Sequence, residues 1–356
     1  MRSTFSYFRG SLVVTVAGLA LAAGIGWWLH GTVAGAASTV FVAAMLAVLE
    51  VSLSFDNAVV NASVMQDMTE VWRHRFLTWG MAIAVFGMRF VFPLVVVSAV
   101  ARLGPLEALR LAAFRPDEYA RLLTSAHVAL GAFGGAFLAM VFLKFFFDEE
   151  KDVHWVGAVE ERLARLGRFE AIELALVMLA LWGFSRYFPP EEARALLVSG
   201  IFGLVAFIVV DGIGALMENG AGERKDLHRA GLATFMYLNV LDASFSFDGV
   251  IGAFALTDNL FVIAVGLGIG AMFVRSLTIL LVERGTLASY RYLEHGAFWA
   301  IGALALIMLV GTLHEVPEVV TGLLGAGLIG LSLVSSIRER RAGAPERAAA
   351  EVVEGP

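Results

Sequence analysis

Ten apolar runs, each close to the length needed to cross a bilayer, set the terms for this chain. They occupy residues 11–29, 39–65, 76–101, 125–147, 172–188, 195–217, 232–256, 260–282, 297–312 and 316–334. Roughly 20 apolar residues in a helix span the hydrocarbon layer, where no water is present to satisfy exposed backbone, so such runs fold as helices. The expected fold is therefore all-α, a polytopic membrane protein of about ten transmembrane helices. Composition agrees, since 59% of the 356 residues are hydrophobic and only 16% are charged, far from a soluble domain of mixed composition. The first run follows Arg2 and Arg9 and precedes the small residues 31–38. Cleaved signal peptides have that look, but the run is long enough to be retained as a first span.

Between the spans, residues 102–124 carry Pro105 and Pro116 and read as an ordered loop or surface helix. Residues 148–168 are the most charged connection and read as an aqueous linker with a short amphipathic helix. The positive-inside rule fixes orientation. With the amino terminus inside, the inner segments hold 17 Lys and Arg against 6 in the outer ones, so both termini are expected in the cytoplasm and the chain in the cytoplasmic (inner) membrane. The modest net charge of -6 and the lack of a basic block give no reason to expect nucleic acid. With no cysteine, thiolate chemistry and sulfur metal sites are excluded, and any metal must be held mainly by oxygen.

Two of the runs carry acids in a repeated pattern. Glu50-Val51-Ser52-Leu53-Ser54-Phe55-Asp56-Asn57 in the second run matches Asp242-Ala243-Ser244-Phe245-Ser246-Phe247-Asp248-Gly249 in the seventh. Carboxylates at lipid depth cost several kcal/mol unless they face a polar interior, and so mark function. The motif helices are five spans apart, which makes them antiparallel. Gly80 and Arg89 in the third run have the same spacing as Gly266 and Arg275 in the eighth, and Gly131-Ala132-Phe133 echoes Gly296-Ala297-Phe298. The pattern describes a 5+5 inverted repeat, an arrangement that places a transport site near the midplane between the halves. The expected division is 1–190 for the first half, including the 148–168 linker, 191–337 for the second, and 338–356 for a disordered cytoplasmic tail.

On a continuous helix, Glu50, Ser54, Asn57 and Asn61 share one face, whereas Asp56 stands about a third of a turn away. Either the motif helices are locally unwound, because Ser, Asp and Asn compete for backbone, or they are regular with two polar faces. Glu50, Asp56, Asn57, Asp242 and Asp248 are the expected metal-binding residues. Ser52, Ser54, Asn61, Asn239, Ser244 and Ser246 are supporting polar groups, with Arg89 and Arg275 as ion-pair partners. Formally, four carboxylates, two guanidiniums and one divalent ion sum to zero, and this oxygen set suits Mn2+, Ca2+ or Mg2+. No histidine lies in either motif, and only His127 falls plausibly inside a span.

The paired motifs resemble the TerC family of integral membrane proteins, named for tellurium resistance, with weaker support from the flanking helices to about residue 335. That resemblance implies a divalent-cation transporter, most often discussed for manganese efflux, with Glu50, Asp56, Asn57, Asp242 and Asp248 binding the ion. The ten spans and Gly249 in place of a polar residue depart from the shorter form of that family. The expected function is export of a hard divalent cation, Mn2+ before Ca2+, coupled to protons. The ion is the cargo, and neither an organic cofactor nor an enzymatic reaction is expected. Two competing readings are a metal-sensing or scaffold component of a membrane stress-response complex and an intramembrane aspartyl protease. The second lacks the Gly-x-Gly-Asp sequence such chemistry uses. Association into a homo-oligomer is left open.

Overall fold

The computed structural model describes residues 4–353 apart from 67, 81, 149–150, 152, 170, 219–225, 255 and 315. Within the helices, the side chains of 85, 213–218, 226–230, 233, 246–248, 251, 287–288, 318 and 342–353 lie outside the description. The first half contains α1 (Thr4–His30), α2 (Val33–Leu53), α3 (Phe55–Gln66) and α4 (Glu70–Arg75), then two π-helical stretches, Phe76–Gly80 and Ile83–Val91. It continues with α5 (Phe92–Ala101), α6 (Pro105–Phe114), α7 (Pro116–Ser125), α8 (His127–Phe146), α9 (Gly157–Leu166) and α10 (Ile172–Ser185). The second half contains α11 (Pro190–Glu218), α12 (Asp226–Ala253), α13 (Leu260–Glu283), α14 (Thr286–Ser289), α15 (Leu293–Gly311) and α16 (Glu318–Val353).

The molecule is an all-α polytopic membrane protein. Among the described residues, seven helices are long and apolar enough to cross a bilayer: α1, α2, α8, α11, α13, α15 and α16, or eight spans if the pair bent by 105° around residues 102–104 is counted as one. The difference from ten expected runs has local causes. The third run opens in π-helical turns and then bends, and the fifth yields only the 14 residues of α10. The seventh run lies in the 28-residue α12. The stretch read as a disordered tail continues α16 as helix to Val353.

Local sequence explains the ends. Gly31, at φ +62°, takes the left-handed backbone that lets α1 turn directly into α2. Thr32 then caps α2, its hydroxyl accepting from Gly35 N at 3.1 Å. Asn259 caps α13 by accepting from Phe261 N and Val262 N.

The helices pack through small residues, which let backbones approach where lipid supplies little hydrophobic drive. α8 lies along both α11 and α15, and α13 lies along α2 and α1. A methyl group at Gly135 would stand 2.9 Å from Leu309 Cγ and 3.2 Å from Ala305 O, across the α8–α15 contact. One at Gly266 would stand 2.6 Å from Leu46 Cβ and 2.9 Å from Ala43 O. Pairs of helices that the sequence repeat relates are packed on each other: α8 with α15, Ile83–Val91 with α13, and α3 with α12.

Because the Gly266 neighbours include backbone that cannot swing away, Gly266→Val should force α13 off α2. Overpacking of this kind costs about 1–3 kcal/mol, and a lowered midpoint in thermal unfolding of the detergent-solubilised protein would register it.

Candidate cation site between the two motif helices

The first motif breaks its helix at a single residue. Ser54 has φ -99° and ψ 19°, and closes α2 with its N–H on Glu50 O at 2.9 Å. Its carbonyl then accepts from Ala58 N at 3.2 Å to begin α3. The nearby polar side chains take local partners. Ser52 Oγ donates to Val48 O at 2.8 Å, Ser54 Oγ to Glu50 Oε1 at 2.8 Å, and Asn57 N to Asp56 Oδ1 at 2.8 Å. Such bonds compete with the helical ladder, so the bend leaves no orphaned backbone at Ser54. The second motif keeps its helix, since α12 runs unbroken through Asp242 and Gly249.

The motifs meet at two points. Asn61 Nδ2 donates to Asp242 Oδ1 at 2.8 Å, joining α3 to α12. Glu50 lies against Gly249, where an added Cβ would be 3.2 Å from Glu50 Oε2, and against Gly270, where it would be 2.5 Å from Glu50 Cβ. The missing side chain at 249 thus makes the room that the Glu50 carboxylate occupies. Arg89, on the π-helical stretch Ile83–Val91, reaches Glu50 Oε1 through one terminal nitrogen and Ala84 O, at 2.6 Å, through the other. Both side chains of this ion pair are at most 5% exposed.

Beside the pair is a cavity with room for about one water-sized sphere, about 10 Å3, lined by Asn57, Asn61, Ala84, Arg89, Asp242, Ala271 and Val274. Among the described residues, Asn57 Oδ1, Asn61 Oδ1 and Asp242 Oδ2 are buried there with no hydrogen-bond partner, as is Arg89 Nε. Buried polar atoms in native proteins are nearly always satisfied, so several orphans on residues that line one cavity point to a ligand. One carboxylate and two amide oxygens are hard donors, the chemistry that holds Mg2+, Ca2+ or Mn2+. Among the described residues no group of three or more acidic or histidine side chains assembles, so a cation here draws on amides as well as carboxylates.

Not every expected residue reaches the cavity. Asp56 is buried but turned toward α16, its Oδ2 lying 3.1 Å from where a Cβ on Gly325 would be. Arg275 donates to Leu77 O at 2.8 Å and is not among the residues at the Glu50–Arg89 pair. Ser52 is exposed, and Ser244 and Asn239 bond backward along α12 to Val240 O and Phe235 O. The side chains of Asp248 and Ser246 lie outside the described residues.

A second polar cluster escaped the sequence reading. Glu160, in the linker read as aqueous, is 1% exposed and accepts from Trp155 N, Val156 N and Trp299 Nε1. His295 opens α15 and is buried too, its Nε2 2.7 Å from Val153 O and 3.6 Å from Glu160 Oε2. It is a span histidine that the sequence reading, with His127 alone, did not anticipate. Glu294 beside it accepts from Ser63 Oγ of α3. Lys151 lays its ammonium 3.0 Å from the Phe145 ring centre. The only available signals were Glu160 on the apolar side of a short amphipathic helix and three aromatics at 145–147. The connection is therefore a strap tied across the ends of α8 and α15.

A family model described as a protein of unknown function (DUF475) matches residues 55–343. No curated protein and no solved structure matches the chain.

Burial pushes the Lys151 ammonium down from 10.5 to about 8, against the opposing pull of Glu160, Glu294 and Asp148. Between those values the unfolded strap holds a proton that the folded one does not, so the closed strap gains stability as pH rises through that window. Chymotryptic nicking at 145–156, normalised to a peptide substrate, should be slower at pH 9.5 than at pH 7.5. In Lys151→Met that difference should vanish.

Proposed function

Since the chain belongs to the DUF475 family, whose function is unknown, we propose a function from its own site: membrane transport of a hard divalent cation. The observation that carries the reading is that Asn57, Asn61 and Asp242, each with a buried side-chain oxygen lacking a hydrogen-bond partner, all line one small cavity where the two motif helices meet. A polytopic helical protein has little reason to hold such a group at membrane depth except to meet a polar cargo. Mn2+ is the first candidate and Ca2+ the second, because the donors are carboxylate and amide oxygens without sulfur or imidazole. The resemblance of both motifs to the TerC family supports the same reading, and with it export from the cytoplasm.

In this reading Asp242 supplies the charge and Asn61 orients it, while Asn57 adds a second neutral oxygen. Glu50 contributes to the field of the site and is held by Arg89. Exchange of the cation for protons on these carboxylates is the coupling we assign. The break at Ser54 gives α3 a joint about which Asn57 and Asn61 can move relative to α2, as alternating access demands.

The test is Mn2+ flux into proteoliposomes containing the full chain, with Ca2+ and Mg2+ as competitors. Asp242→Asn should abolish flux, and Asn61→Ala should weaken apparent affinity by about 10–100-fold, the scale for groups that orient metal ligands. Tight Mn2+ binding without flux would reject transport in favour of a sensor.

A further inference from the structure

Arg89, paired with Glu50, lines the cavity, and its geometry is unusual for a purely structural tie. Arg89 spends one terminal nitrogen on Glu50 and the other on Ala84 O, yet its Nε is buried with no partner and lines the same cavity as Asp242 Oδ2. A guanidinium that keeps one donor unused beside an unused carboxylate oxygen is placed between two acids. It also rides on a π-helical stretch, Ile83–Val91, and such turns are commonly found at functional sites. Gly249 of the second motif presents no side chain to the Glu50 carboxylate, and Gly270 of α13 presents none to its Cβ.

We propose that Arg89 is a tethered counter-cation, competing with the transported ion for the carboxylates Glu50 and Asp242. The inference rests on the transport reading and names how that same site is regulated. Without cargo, the guanidinium is a fixed positive charge that offsets part of the negative charge of the carboxylates in a low-dielectric interior. An arriving divalent cation adds two positive charges next to a third. The repulsion makes cargo and guanidinium alternate on the carboxylates and keeps the ion from being held too tightly to leave. Arg89 thus lowers affinity and speeds release. A structural role alone predicts the reverse, since breaking a buried pair leaves Glu50 uncompensated and the site disordered.

The experiment compares full-length wild type, Arg89→Gln and Arg89→Lys in nanodiscs for Mn2+ binding, read from loss of the free-ion paramagnetic resonance signal. Mn2+ counterflow in proteoliposomes is measured in parallel. The expected result is an Arg89→Gln protein that binds Mn2+ about tenfold or more tightly, as removal of a nearby like charge requires, while its counterflow slows. Arg89→Lys should keep near-wild-type affinity. Unchanged or weaker binding by folded Arg89→Gln would overturn the counter-cation role while leaving transport intact. Absence of Mn2+ binding by the wild type would instead overturn the transport reading beneath it. Should Arg89→Gln fail to fold, the double variant E50Q/R89Q against E50Q carries the comparison. Tighter binding by the double variant supports the role, and equal or weaker binding overturns it.

Discussion

A buried ion pair between the first motif and the π-helical stretch Ile83–Val91 organises the centre of this molecule. Glu50 and Arg89 are both nearly inaccessible, and removal of one partner from such a pair costs about 3–5 kcal/mol because the other is left charged and alone. The surroundings are built to suit it. Ser54 Oγ donates to the same oxygen of Glu50 at 2.8 Å, which draws the hydroxyl into the bend separating α2 from α3. On the other side, α13 can come close only because Gly266 and Gly270 present no side chain to Leu46 and Glu50. Charge, bend and close helix packing are therefore one arrangement, and the cavity beside Asp242 is its by-product.

The second organising contact, Asn61 to Asp242, joins the motifs without involving the pair. It engages Asn61 Nδ2 and Asp242 Oδ1 and leaves Asn61 Oδ1 and Asp242 Oδ2 without hydrogen-bond partners. Far from this site, Glu160, His295 and Trp299 tie the connection after α8 to the start of α15. Ser63 and Glu294 extend that tie to α3 itself. The helix carrying Asn57 and Asn61 is thus held at one end by the central acids and at the other by the strap.

Much of the site is legible in the residues alone, for a simple reason. An acid inside an apolar run stands out, and helical periodicity puts Glu50, Ser54, Asn57 and Asn61 on one face while setting Asp56 apart. The structure turns Asn57 and Asn61 to the cavity and Asp56 toward α16, and the single-residue break preserves that phase. Other features leave no local mark. A π-helical stretch has no distinctive residue pattern, so the reach of Arg89 to Glu50 follows from tertiary contact. The repeat gave Arg275 the same weight as Arg89, but spacing cannot tell which of two equivalent arginines has an acid within reach. Glu160 reads as solvated because a charged linker normally is; two backbone N–H groups of the linker itself and the Trp299 indole from α15 make its burial tolerable. The count of spans blurs for a similar reason, since hydropathy records apolar length and is blind to the π-helical turns and the 105° bend of the third run.

Gly249 carries one more implication. The two motifs match position for position until Asn57 on one side meets Gly249 on the other, and the glycine is where Glu50 needs space. An asparagine at the end of both copies would therefore crowd the Glu50 carboxylate out of its berth. The duplication is locked out of perfect symmetry by volume, so its halves, similar as they read, have become lock and key and can no longer trade places.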